Sequence, residues 1–197
     1  MPAPDLETLR LFVAIDAPAE VRTALGALSE RLRGISWVPP GQLHLTLRFV
    51  GATPSARVDE VIRRLDRIQV ESFLLPVTGI GSFPPGRPPR VMWAGVGTGH
   101  PRLFQLRQRV DDALLAAGLT DLDVRSFHPH FTLARCGSGV SPAAVAGYLK
   151  KHESFEGPPF RVEAFTLYKS TLIAGGAVHE PLCTVALAPR SLKPDLS

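Results

Sequence analysis

The chain has 197 residues, 45% of them hydrophobic, which suffices to bury one substantial core or two small lobes sharing one. No stretch approaches the run of about 20 apolar residues that a membrane-spanning helix needs. Cys136 and Cys183 are too few for a disulfide framework or a thiolate zinc site, and the opening residues lack the pattern of a secretory signal, so a cytoplasmic, reduced protein is expected. The net charge of +4 permits a phosphate-bearing partner without demanding one, because the basic residues are spread along the chain.

In chain order, Leu9 to Ile15 reads as a buried strand, and Asp16 is placed to cap the helix that follows, with Pro18 near its first turn. Val21, Leu25, Leu28 and Leu32 give that helix one apolar stripe, and Gly34 is expected to end it. The turn Trp37 to Gly41 delivers a second strand, Leu43-His44-Leu45-Thr46-Leu47-Arg48-Phe49, in which apolar and polar residues alternate. Simple alternation points the leucines and Phe49 to one face, and His44, Thr46 and Arg48 to the other. Gly51 closes the strand. Thr53-Pro54 opens a helix carrying Val58, Val61, Ile62, Leu65 and Ile68 on one side, and a strand from about Phe73 to Ile80 comes next.

The segment from Phe83 to Arg90 is the one clear break in composition, too rich in proline for a helix or a central strand. After it the order of elements begins again. Val91 to Val96 is a strand, and Pro101 to Ala117 a helix with Leu103, Leu106, Val110 and Leu114 inward. His130-Phe131-Thr132-Leu133 repeats the His strand, Ser141-Pro142 opens another helix, and strands follow at Phe160 to Tyr168 and about Leu182 to Leu187. Strand, helix, His strand, glycine, helix, strand: the order occurs twice, which predicts two similar lobes with their motifs in equivalent places. The expected fold class is α+β, bilobal and pseudo-symmetric, with two antiparallel sheets, outer helices and a central cleft carrying both His-x-Thr motifs. The expected organisation is one domain over residues 1–190, with halves at about 9–80 and 91–170, and a tail at 191–197.

A polar His/Thr pair set into an apolar strand costs desolvation unless partners satisfy it, and its recurrence makes accident improbable. Histidine titrates nearest neutrality, so one ring can be neutral while the other is protonated. Two such rings on opposite sides of a phosphodiester suit in-line displacement. Two threonine hydroxyls can bind non-bridging oxygens, an arginine can neutralise the charge there, and no metal or cofactor is required.

These motifs resemble the two-histidine (2H) phosphoesterase superfamily. The chain is similar, more closely, to the RNA 2′,3′-cyclic phosphodiesterases, the 2′–5′ RNA ligase-like proteins. The resemblance takes in Leu11 to Ile15, Trp37-Val38-Pro39 with His44 to Phe49, and Gly81 to Pro84 with Arg90 to Trp93. It continues through His128 to Arg135 and Phe165 to Ser170. It implies a cleft in which His44 is the proton donor to a leaving 3′ oxygen and His130 the base that activates water. Thr46, Thr132 and Arg135 would hold the phosphate. Alternation alone points Arg135 away from His130, so its role rests on the resemblance and on an end or bulge in the strand. The implied partner is RNA with a 2′,3′-cyclic phosphate end, such as a tRNA half, with no membrane and a monomeric state.

Other residues carry plainer readings. His128 and His130, two apart, have the spacing of metal ligands, but Pro129 intervenes and no third ligand is clustered, so His128 is read as supporting the loop. His100, His152 and His179 are placed at helix starts, helix ends or loops and read as structural or solvated. Arg87 and Arg90 are equally readable as phosphate contacts or exposed side chains. Trp37, Phe49, Phe83 and Phe127 lie near the motifs and could stack on a base, though core packing is the commoner fate of such rings. Alternatives are a reversible 2′–5′ RNA ligase, a hydrolase of small cyclic nucleotides or ADP-ribose cyclic phosphate, and a non-catalytic RNA-end-binding module. A metal-dependent phosphodiesterase is the outside option.

Overall fold

The computed structural model describes residues 7–85, 88–120, 126–174 and 176–189. Arg87 of the proline-rich segment and the tail at 191–197 lie outside the described residues. The strands are β1 (Thr8–Asp16), β2 (Ile35–Trp37), β3 (His44–Pro54), β4 (Phe73–Thr78), β5 (Ile80–Phe83), β6 (Val91–Gly95), β7 (His130–Cys136), β8 (Glu156–Val162), β9 (Ala164–Ile173) and β10 (Gly176–Ala186). The helices are α1 (Ala19–Gly26), α2 (Val58–Leu65), α3 (Pro101–Ala116) and α4 (Pro142–Lys151).

The α+β, antiparallel architecture is the one read from the sequence. An eight-stranded sheet runs β10-β9-β1-β3-β7-β6-β5, with β2 against β7, and β4 and β8 form a two-stranded sheet. The halves do not fold apart from one another. Strand β9 of the second half pairs with β1 of the first, and β8 pairs with β4. The two His strands join the halves through Leu45 opposite Phe131, the residues between His and Thr in each motif. Extending that antiparallel register by one residue sets His44 across from Thr132 and Thr46 across from His130.

The helices cover the face of the sheet opposite the motifs. Val21, Leu25, Val61, Leu65, Leu103, Leu106, Val110 and Leu114 pack onto the inward residues of β1, β3 and β7 in one large core, and Val145 and Tyr148 of α4 seal a smaller one over Met92 and Ala134. Helix α3 begins as expected, with His100 as its N-cap accepting from the Arg102 N–H, and Ser141 caps α4 on the Ala144 N–H. Helix α1 differs from its expectation. It stops at Gly26, and Gly34 instead takes a left-handed turn (φ +80°) ahead of β2. Nor does Asp16 cap α1, whose N-cap is Pro18. The Asp16 carboxylate accepts from the Tyr168 hydroxyl at 2.6 Å and the Thr166 hydroxyl at 3.1 Å.

Both His strands break their alternation one residue past the threonine. Opposite β1, Ala14 pairs with Thr46 but Val13 with Arg48, so Leu47 is an extra residue. Opposite β6, Trp93 pairs with Thr132 but Met92 with Ala134, so Leu133 is extra in the same way. Each bulge leaves a carbonyl outside the ladder that must find another donor. The Leu47 carbonyl accepts from Arg107 Nε of α3 at 2.6 Å, and the Leu133 carbonyl from the Val38 N–H at 2.8 Å. Arg107 is held in turn by Asp111, which also pairs with Arg48.

The expected outcome of Arg107→Ala is a loss of about 2–4 kcal/mol, since it strands a buried carbonyl and unbalances a buried ion pair. Urea unfolding monitored by tryptophan fluorescence measures it. A change within 0.5 kcal/mol would mean that the bulge does not depend on Arg107.

Candidate active site

The two bulges decide which side chains reach the cleft. On β3, His44 and Thr46 share a face with their β1 partners Asp16 and Ala14, and after Leu47 it is Phe49, opposite Phe12, that returns to that face. Phe49 is 56% exposed, whereas Arg48 is buried against α3 on Asp111. The alternation reading is thereby corrected: Leu47 takes an extra place in the strand, so Phe49 returns to the face of the motif and Arg48 turns to Asp111, where with Arg107 it still borders the larger of the two chambers beside the motifs. On β7 the same shift brings Arg135, opposite Val91, onto the face of His130 and Thr132. The bulge that the role of Arg135 required is present. Phe49 and Arg135 thus occupy the same position relative to their histidines, one ring and one cation.

Each histidine is oriented in the same way. His44 Nδ1 lies 2.8 Å from the carbonyl of Gln42, and His130 Nδ1 lies 2.6 Å from that of His128. A carbonyl can only accept, so in each ring Nδ1 carries a proton and Nε2 is the atom left to titrate. This is the part His128 plays: its backbone, two residues before His130, orients the ring. Among the described residues no group of metal-ligating side chains gathers.

The packing around the two rings differs. Phe12 lies 5.0 Å from His44 and His179 stands edge-on to it at 5.5 Å. Phe83 meets His130 edge-on at 5.1 Å, with Trp93 behind it. Burial is the main reason that His44 titrates below the ordinary histidine value. The Gln42 carbonyl and Asp16 pull it back up, while His179 and His130 press it further down. His130 is lowered by burial too, opposed by the His128 carbonyl and reinforced by the charge of the His128 ring, and among the described residues no carboxylate acts on it.

Two chambers meet at the motifs. One, of about 670 Å³, is lined by His130, Phe83, Phe127 and His128. The other, of about 270 Å³, is lined by His44, His179, Phe12 and Arg10. Thr46, Thr132, Phe49 and Arg135 border both. All five residues singled out from the sequence, His44, Thr46, His130, Thr132 and Arg135, therefore converge on one cleft. Of the four aromatic candidates, Phe83 and Phe127 line the larger chamber, Trp37 the smaller, and Phe49 both.

His179 was not anticipated in the cleft. It lies in β10, opposite Ser170 of β9, and not in a loop. A hairpin signal for this was available in the sequence, since Gly175-Gly176 separates two short β-favouring runs. Phe12 and Asp16 were also missed, because β-strand burial and helix capping explained them sufficiently.

Two histidines facing a cleft bordered by two threonines and an arginine are the features of a 2H phosphoesterase. The chain belongs to the LigT-like phosphoesterase family, whose model matches residues 15–93 and 96–179. It is 35% identical to the RNA 2′,3′-cyclic phosphodiesterase of Thermus thermophilus over 186 residues, covering 88% of each chain. It is 33% identical to the protein of that name from Aeropyrum pernix over 145 residues, covering 74% of this chain and 82% of the relative. Among solved structures, apo LigT of E. coli superposes with a TM-score of 0.75 at 28% identity, covering 92% of this chain and 99% of LigT. A LigT complex with 3′-AMP superposes at 0.74.

NMR titration of the imidazole rings is expected to place both His44 and His130 below 6.5. Asp16→Asn should lower His44 further and leave His130 unmoved, because removing a negative neighbour disfavours the charged ring. Movement of both rings together would mean that the substitution had disturbed the fold.

Proposed function

We propose that the protein hydrolyses RNA 2′,3′-cyclic phosphate ends to 2′-phosphates by acid–base catalysis from His44 and His130, without a metal or cofactor. The observation that carries this reading is the placement of the rings. His130 borders one chamber and His44 the other, each with Nδ1 tied to a carbonyl, on either side of a shared border of Thr46, Thr132 and Arg135. A phosphate held there would have one Nε2 on each side, as in-line displacement requires.

Neutral His130 takes a proton from water through Nε2 as the water oxygen attacks phosphorus. The bond to the 3′ oxygen breaks, and that oxygen takes the proton of His44 Nε2. The two rings end with exchanged protonation states and reset through solvent. Asp16, which raises His44, supports His44 as the ring charged at the start, and the His128 ring, which lowers His130, supports His130 as the base. Thr46 and Thr132 donate to the non-bridging oxygens, and the Arg135 guanidinium offsets the charge that builds on them. The partner is an RNA end, and the protein acts as a monomer in the cytoplasm. Among the described residues no helix is long and apolar enough to cross a membrane.

The larger chamber favours a second reading of the same site. About 670 Å³ on the His130 side is far more than one water needs and can admit the 5′-hydroxyl end of a second RNA. The cycle would then run as 2′–5′ ligation. Incubating cyclic-ended RNA with a 5′-hydroxyl oligonucleotide and assaying for a 2′–5′ linkage separates the two.

The direct test is hydrolysis of an oligoribonucleotide with a 2′,3′-cyclic phosphate end, in EDTA, with identification of the product isomer. His44→Ala and His130→Ala are each expected to lose about 10²–10⁴-fold in kcat. Thr46→Ala and Thr132→Ala should lose roughly tenfold, and Arg135→Ala roughly 10–100-fold. A 3′-phosphate product, or activity abolished by EDTA, would overturn the mechanism.

The pH profile gives an independent check. Catalysis needs one charged and one neutral ring, and both rings titrate below the usual histidine value in the free protein. The optimum of kcat/KM should therefore lie below pH 6.5, with the alkaline fall reporting loss of the acid. Bound phosphate anion stabilises the charged rings, so the optimum of kcat should lie at higher pH. Coincident optima would contradict this.

A further inference from the structure

The smaller chamber does more than give His44 access to solvent. If His44 protonates the leaving 3′ oxygen, the ribose bearing that oxygen lies on the His44 side of the phosphorus. The RNA strand leading into that ribose must then leave through the same chamber. Its walls suit such a strand. Phe12 and His179 flank the His44 ring, and Arg10 lies two residues before Phe12 on the same face of β1, roughly 7 Å along the strand. The β3 partner of Arg10 is Ala52, which offers it neither charge nor hydrogen-bonding side chain. Among the described residues Arg10 has no ion pair or hydrogen-bond partner, in contrast to Arg48 and Arg107. His179 has its Nδ1 buried without a hydrogen-bond partner among those residues, while its ring lines the chamber.

We propose that the chamber on the His44 side is a subsite for the RNA strand upstream of the cyclic end, in which Arg10 binds the phosphodiester one nucleotide before it and His179 walls the terminal ribose. The proposal rests on the assignment of His44 as the proton donor. Burial and the nearby Arg135 hold His179 below the ordinary histidine value, so near neutral pH it is an uncharged wall and Arg10 is the phosphate-seeking group of this chamber. The consequence is a length preference: a mononucleoside 2′,3′-cyclic phosphate has no upstream phosphodiester and forgoes the Arg10 contact.

The test compares a mononucleoside 2′,3′-cyclic phosphate with a dinucleotide ending in the same group. Wild-type protein is expected to favour the dinucleotide by about tenfold or more in kcat/KM, mainly through KM. Arg10→Ala should remove most of that advantage while leaving the mononucleoside substrate within about twofold, and Arg10→Lys should restore part of it. The slope of log affinity for the dinucleotide against log salt should fall by about 0.7 on removing one phosphate contact. His179→Ala should raise KM for both substrates, since the terminal ribose is common to them; an unchanged KM would remove His179 from the subsite.

Equal kcat/KM for the two substrates in wild-type protein, or an equal loss on both in Arg10→Ala, would overturn the proposal. Calorimetric binding of the two 2′-phosphate products provides the same comparison without turnover. If neither cyclic substrate reacts and the dinucleotide product still binds more tightly in an Arg10-dependent way, the subsite stands and the hydrolase reading falls. If the cyclic substrates react with no dependence on Arg10, the reverse holds.

Discussion

The site depends on two displaced carbonyls. An antiparallel strand presents alternate residues to each face, and left regular, β3 would turn Arg48 to the cleft and Phe49 to the helices. One extra residue, Leu47, reverses that order, and Leu133 does the same for Ala134 and Arg135. A bulge in a buried strand persists only where its unpaired carbonyl is satisfied. The first is met by a guanidinium from α3 and the second by a backbone N–H at the end of β2. The cleft thus draws its side-chain directions partly from groups on neighbouring elements, Arg107 of α3 and Val38 after β2.

The two halves reach the same backbone solution and then diverge in chemistry. Each histidine is steered by the carbonyl two residues before it, each threonine follows two residues later, and each bulge comes next. Past the bulge the halves part: Phe49 in one and Arg135 in the other. The surroundings part as well. His44 sits beside Asp16, whose carboxylate is fixed by Tyr168 and Thr166 from β9. His130 sits among Phe83, Trp93 and His128. A symmetric scaffold with asymmetric neighbours is what an acid and a base drawn from one residue type require, because only environment can part their protonation states. The same asymmetry extends to the chambers, one broad and aromatic beside His130, the other smaller and carrying Arg10 beside His44.

That asymmetry arises because the strands that the halves exchange carry different side chains. β9 of the second half pairs with β1 of the first and carries β10 on its other edge, and the two bring Tyr168 and Thr166 to Asp16 and His179 to His44. The exchange runs both ways, for β5, which precedes the proline-rich break, brings Phe83 to His130, whose other neighbours come from β6 and the segment just before β7. The hydrogen bonds that hold the fold together are therefore also what set the two rings apart.

Much of this was legible in the chain itself. Hydrophobic periodicity located α3 and α4 closely, because their caps and proline starts are local signals, and it located both His strands, because a His-x-Thr pair in an apolar run is conspicuous. The recurrence of strand, helix and His strand marked the pseudo-symmetry and brought both histidines and both threonines to notice, while Arg135 came from the family resemblance. What periodicity could not supply was anything that turns on a partner distant in sequence. The bulges depend on donors at Arg107 and Val38, so the directions of Arg48, Phe49 and Arg135 could not follow from alternation. Asp16 has the sequence of a helix cap, yet hydroxyls some 150 residues away claim it. His179 enters the cleft only because β10 folds back along β9. Local patterns determine which residues are placed on strands and helices. Which of them meet, and which way each one faces, is decided where a buried polar group finds its partner in tertiary structure.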